Sequence, residues 1–233
     1  MAWPGTESRL ERIQLELAVE ADAVEPWEPP TPALTVGGCF LASGIADETR
    51  AWAAAVAVRG GAPVARSVVE GEVTAPYRAG YLALRHGPLL AAAVRGLEDV
   101  PDVLLVDASG RDHPRGAGLA LHLGAVLDLP TVGVTDRPLV GAADEPAAER
   151  GSASPLVLGG RLVGYAVRTR AGARPVVAHA AWRTSPATAR DVVLGSAARA
   201  RTPEPLRLAR HLARAARAEG EGRTPPGWRD AFV

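Results

Sequence analysis

The stretch from Val100 to Gly133, VPDVLLVDASGRDHPRGAGLALHLGAVLDLPTVG, leaves this chain few folds to choose from. Val103–Val106 is an apolar run of four residues with no alternation, closed in by Pro101 and the polar Asp107. Such a run is too short for a helix and predicts a strand buried on both faces. Asp107 then falls at the end of that strand, on the rim where open α/β sheets place their ligands. A Gly- and Pro-containing loop follows from 108 to 117, a helix is predicted over 118–129, and a second short strand over 131–134. Strand, loop, helix and strand in that order imply a largely parallel sheet with covered faces.

The rest of the chain supplies the flanks. Residues 8–23 predict an amphipathic helix, with Ser8 and Glu11 at capping-box spacing and Leu10, Ile13, Leu17 and Ala21 on the apolar stripe. Residues 1–7 are expected to fray, and 24–32 form a Pro-rich connection. Strands are predicted over 34–41, 52–58 and 63–73, the last two joined by a Gly60-Gly61 turn. The middle strand requires burial to override the helix propensity of its alanines. A helix over 80–98 carries Pro88 inside it. A surface loop is expected over 139–155, then a hairpin around Gly159-Gly160, a strand over 175–178, and helices over 185–195 and 202–217. A loose tail is expected from about 219. No repeat or linker divides the chain, so 1–233 reads as one domain.

The chain has 26 acidic and 26 basic residues and no net charge, and every strong base is arginine. The absence of lysine excludes lysine nucleophiles. The charge is unevenly placed. Six acids stand against Arg12 between Glu11 and Pro30, whereas twelve arginines between Arg161 and Arg217 face only Asp191 and Glu204. A one-sided basic segment fits a nucleic-acid or phosphate footprint; charge pairing between the two ends of the fold is the plainer alternative. The single cysteine, Cys39, rules out an intrachain disulfide and any multi-cysteine metal site. The opening residues have no signal-like core and no run of 18 apolar residues occurs, so a cytoplasmic protein with no membrane partner is expected.

Three motifs, taken in order, are similar to one family. PYRAGYLALRHGPL from Pro76, D-x-x-G-x-x-HPR-x-x-G-x-A-x-H-x-G from Asp107 and PTVGV from Pro130, followed by RTPEPLRLAR at Arg201–Arg210, resemble endonuclease V. The resemblance implies an α/β, RNase H-like (endonuclease V-type) fold with a mixed central sheet flanked by helices. It also implies Mg2+-dependent cutting of DNA or RNA near a deaminated purine, inosine in particular.

The same resemblance implies a carboxylate cluster, because hard cations want several oxygen ligands. Here Asp107 matches the acid at the end of the central strand and is the expected metal ligand. The first-strand acid falls on Gly37, the helical Glu on His86, a Lys on Asp136 and a late His on Trp182, while His113 matches the family's His. One carboxylate makes a poor Mg2+ site, and Trp182 cannot ligate. Metal-dependent cleavage is therefore expected to be lost or strongly reduced, with Mg2+ or Mn2+ as the cofactor if the site is active. His86, Asp107 and His113, with His179 as a fourth member, could instead form a zinc or acid–base group; the competing reading makes His86 a half-buried residue filling the space of the Glu.

Base recognition is better retained. The resemblance implies that Tyr77 wedges into nucleic acid and that Gly80 and Leu82 on one side, Gly118 and Leu119 on the other, line a pocket for an everted base. Arg115 is a candidate phosphate contact. The sequence thus points first to a diverged endonuclease V-like protein that binds DNA or RNA, inosine-containing strands included, without normal cleavage. An active endonuclease is the second reading, and a scaffold for a protein or small-molecule partner the third. The sequence assigns no oligomeric state.

Overall fold

The computed structural model describes residues 3–30, 34–198 and 200–225. Eight strands form one mixed sheet in the order β3-β2-β1-β4-β5-β8-β7-β6. β1 (Thr35–Ser43), β2 (Arg50–Arg59) and β3 (Ala62–Glu72) make an antiparallel meander. β4 (Val103–Val106) and β5 (Thr131–Thr135) continue it in parallel with β1. β6 (Ala153–Leu158), β7 (Arg161–Val167) and β8 (Val176–Ala180) close the other side in antiparallel pairs.

Helices cover both faces. α1 (Glu7–Ala23), α2 (Leu82–Arg95) and α3 (Leu119–Leu127) enclose a core in which Leu10, Leu17, Leu90, Leu121 and Leu123 meet Cys39, Leu104 and Val106. α4 (Pro186–Ser196) and α5 (Glu204–Gly220) pack on the opposite face, against Val36, Leu105, Val132 and the β2 residues Val56 and Val58. Covering on both faces explains why the alanine run Ala51–Ala57 is a strand: every residue in it is buried. Small side chains on β1 and β2 let the helices come close. At Gly38 a Cβ would overlap the backbone of Pro205, so α5 rests directly on β1.

Several boundaries differ from expectation. α1 is capped by Thr6, whose hydroxyl accepts from the Arg9 amide at 3.3 Å, and Ser8 lies inside the helix. Residues 1–7 do not all fray: Trp3 stacks on His122, ring centroids 4.6 Å apart, in the core beneath α1. The loop expected to end at Pro155 ends at Ala153, because β6 pairs with β7 from there. At the C-terminal end the last helix outruns its expected end at 217. α5 runs to Gly220, and the Glu221 carboxylate accepts from the Ile45 amide at 2.6 Å. Residues 226–233 of the expected tail lie outside the described residues. Among the described residues no helix is long and apolar enough to cross a membrane.

Candidate nucleic-acid cleft

The carboxyl end of β4 delivers Asp107 to a cleft of about 230 Å³. Tyr77, Gly80 and Leu82 line it from the approach to α2, Ser109, His113 and Leu119 from the loop and start of α3, and Thr135, Arg137, Pro138 and Leu139 from the end of β5 and the segment after it. The volume lies below the range of about 300–1,000 Å³ usual for drug-sized ligands, so the cleft suits one planar ring better than a dinucleotide cofactor. A larger cavity of about 570 Å³ lies at the other end of these strands, between Val36, Val58, Val192 and Pro205. Its two acids, Asp191 and Glu204, are both paired with arginines.

Each wall of the cleft has a physical reason. Gly80 turns the chain with φ of +79°, a conformation that favours glycine, and presents its carbonyl inward. That carbonyl accepts from Arg115 Nη2 at 2.8 Å, from Gln14 Nε2 at 3.3 Å and from His113 Nε2 at 3.2 Å. The Nδ1 of His113 accepts from the Arg115 amide at 3.2 Å, which fixes the proton on Nε2. Both ring nitrogens are thus engaged, and burial pushes the His113 pKa down to about 4. Arg115 also donates to Gln14 Oε1 at 2.6 Å and stacks on the Tyr81 ring. It is a brace for the Gly80 turn, three-quarters or more withdrawn from solvent, rather than an outward phosphate contact. Tyr77, by contrast, is 74% exposed on the rim.

The acid end of the cleft departs from expectation. Asp107 is bonded to Arg210 of α5, Nη2 to Oδ2 at 2.9 Å. The β1 register shows what stands beside Asp107. Gly37 pairs with Leu104, deep in the strand, and a Cβ there would run into Pro101 and Leu104. Cys39 pairs with Val106 and is the β1 residue next to Asp107. Its thiol is fully buried, and burial together with the Asp107 charge pushes its pKa upward, keeping it neutral.

His86, Asp107, His113 and His179 do not form the expected group. Among the described residues no three His, Cys, Asp or Glu side chains stand close enough to hold a metal. His86 is half-buried in α2 and does not line the cleft. Burial, then the neighbouring Arg85, pushes its pKa down to about 4. His179 is buried on β8, with Nε2 2.7 Å from the Thr135 hydroxyl. Trp182 is a core aromatic, and Asp136 is held by Arg201 at 2.6 Å. A divalent hard cation does not fit this donor set: its one cleft carboxylate is bound to a guanidinium, and its neighbours are a neutral thiol and a doubly engaged imidazole.

Two features escaped the sequence reading. Arg210 sits over the Phe40 ring at 5.2 Å, and Arg214 lies over the same ring at 5.7 Å. The helical spacing of Arg210, Arg214 and Arg217 within TPEPLRLARHLARAAR was the available signal. The buried Arg85 is the other. It donates to the carbonyls of Ala75 and Glu48, each at 2.7 Å, and so ties the segment before Tyr77 to α2.

Comparison with known proteins agrees with this architecture. Residues 18–211 match the family model described as Endonuclease V. Endonuclease V of Streptomyces coelicolor is 38% identical over 216 residues, covering 92% of this chain and 92% of that protein. The crystal structure of endonuclease V from Streptomyces avermitilis has a TM-score of 0.85 and 36% identity, covering 94% of this chain and 96% of its own. The crystal structure of the catalytic domain of human endonuclease V has a TM-score of 0.83 and 29% identity, covering 93% and 99%.

Proposed function

Because the chain belongs to the endonuclease V family and has its RNase H-like fold, we propose that it binds nucleic acid at the Tyr77–Leu119 cleft with lost or strongly reduced metal-dependent cleavage. The observation that carries this reading is the 2.9 Å pair between Arg210 and Asp107. Phosphodiester hydrolysis by this family rests on a divalent cation held by clustered acids, which activates water and offsets charge on the phosphate. In this chain a guanidinium holds the one cleft acid, and the adjoining β1 position is an uncharged thiol. Two features of the recognition side support the binding half of this reading. Tyr77 is free on the rim to stack on a base, and the Gly80 turn is braced from three directions. An inosine-containing strand is the ligand of choice, since the motifs that line the cleft are those that resemble the family's pocket for hypoxanthine.

An active endonuclease remains the second reading, favoured by Asp107 being about one-third exposed at the carboxyl end of β4. A cleavage assay separates the two. Inosine-containing single- and double-stranded DNA and RNA are incubated with Mg2+, Mn2+ or Zn2+, beside Asp107→Ala. The expected result is no metal-dependent nicking by folded protein. Nicking that disappears in Asp107→Ala would overturn the loss of activity. Failure of the intact protein to bind any of these strands at low salt would overturn the nucleic-acid reading itself.

A further inference from the structure

We propose that Arg210, Arg214 and Arg217 form a metal-independent phosphate clamp beside Asp107, gripping the phosphate of a strand whose base enters the Tyr77–Leu119 cleft. This inference rests on the nucleic-acid reading above and adds its chemistry: cationic side chains stand at the position where a metal enzyme collects acids.

Three observations lead there. The arginines recur at four- and three-residue steps along α5, which puts them on one helix face. Arg210 and Arg214 share the Phe40 ring, at 5.2 and 5.7 Å, so their charges are held together by a common aromatic platform. Their hydrogen-bonding capacity is mostly unspent. Arg210 gives one nitrogen to Asp107, and Arg217 gives one to the Ser43 carbonyl at 3.1 Å. Arg214 is exposed and makes no hydrogen bond or ion pair among the described residues.

Crowding of like charge is the physical point. Asp107 opposes Arg210 and Arg214, and Glu221 lies near Arg217 while also bonding the Ile45 amide. Those two carboxylates, one of them shared with Arg223, leave an excess of positive charge on this helix face. At Arg214 partial desolvation of the guanidinium, and after it the charges of Arg210 and Arg217, push the pKa below its usual value. An anion relieves that repulsion. Planar guanidinium forks match phosphate oxygens in pairs, which favours phosphate over a featureless anion. The general basic excess of the C-terminal segment does not explain the cluster, because Arg161, Arg190, Arg201 and Arg207 each meet a carboxylate. Nucleic acid and small phosphorylated molecules share this chemistry, so the test must tell them apart.

Fluorescence anisotropy with a labelled inosine-containing single-stranded oligonucleotide, in EDTA, provides it. Arg214→Ala is expected to weaken binding about tenfold and to lower the salt dependence by about 0.7 in log–log slope, the share of one phosphate contact on a single strand. Asp107→Asn is expected to tighten binding several-fold, because it frees Arg210 and removes a negative charge beside the phosphate. Arg210→Ala serves as the second variant, with a thermal melt to show that both alanine variants fold. Strong binding by the intact protein with no change in the arginine variants would overturn the clamp and leave the nucleic-acid reading in place. If no oligonucleotide binds, pyrophosphate is added during thermal melts. Stabilisation of the intact protein but not of Arg214→Ala would keep the clamp and remove its nucleic-acid partner, and no stabilisation would overturn both.

Discussion

His179 and Asp112 stand 3.7 Å apart, imidazole Nδ1 to carboxylate Oδ2, with both side chains wholly out of solvent. They do not share a proton. The Thr135 hydroxyl donates to the Arg137 carbonyl at 2.7 Å, so it accepts from His179 and fixes the ring proton on Nε2. Burial outweighs the attraction of Asp112 and pushes the His179 pKa below its usual value. The Asp112 charge is met instead by the amides of Leu139, Val140 and Gly141, at 2.6, 3.0 and 2.7 Å. Asp112 thereby holds the Leu139 end of the cleft.

Asp112→Ala should therefore destabilise the protein by about 2–4 kcal/mol, since charge-assisted bonds are lost and amides are left without an acceptor. Urea unfolding measures it. A change under about 0.5 kcal/mol, the range of an ordinary surface substitution, would show that water replaces the carboxylate freely.

His122 predicts a pH effect of definite sign. It is buried against Trp3 with neither ring nitrogen hydrogen-bonded among the described residues, and burial pushes its pKa down to about 4. The unfolded chain takes up the proton near 6.5, the folded chain only near 4. Stability is thus full above about pH 6.5 and falls as pH drops toward 4, by at most about 1.4 kcal/mol per pH unit for this residue. His122→Phe should be neutral or stabilising at pH 7 and should make the acid side of the stability profile shallower. An unchanged acid slope would place the protonation elsewhere.

Magnesium should not raise the melting temperature. A cation at about one hundred times its Kd would add about 2.7 kcal/mol to a folded state that binds it. With Asp107 held by Arg210, melts in Mg2+ and in EDTA should coincide. A reproducible upward shift in Mg2+ that vanishes in Asp107→Asn would restore a cation to the cleft.

Tyr77→Ala should leave stability within about 0.5 kcal/mol, because the ring is 74% exposed. Loss of base stacking should weaken oligonucleotide binding by about 1–3 kcal/mol. Equal affinity of the variant and the intact protein would remove Tyr77 from the interface.

What could be read in advance followed from locality. Val103–Val106 and Asp107 announced themselves because an apolar run and its polar stop are adjacent in sequence, and Gly60-Gly61 marked its turn for the same reason. The partner of Asp107 could not be read that way: Arg210 lies 103 residues downstream, and only the packing of α5 on β1 brings it across. The neighbour of Asp107 on β1 is hidden for a related cause. A shift of two residues within the glycine-containing strand leaves no local trace, whereas the β1–β4 register sets Cys39 beside Val106 without ambiguity. The inward bonds of Arg115 were equally hidden, because Gln14 and the Gly80 carbonyl that draw it in are distant in sequence.

The contact at Gly38 sets a mechanical limit on how this face could change. Pro205 sits directly on β1, so the axis of α5 is seated at its first turn and cannot slide to bring other side chains forward. Arg210 comes little more than one turn later, and its angular position follows from residue count alone. One residue inserted between Pro205 and Arg210 would swing the arginine row by about 100°, one step of an α-helix, and carry it away from Asp107. Two helices of equal composition would then differ completely in what they show the cleft. The seat at Gly38 works as the zero mark of a scale along which each arginine is counted.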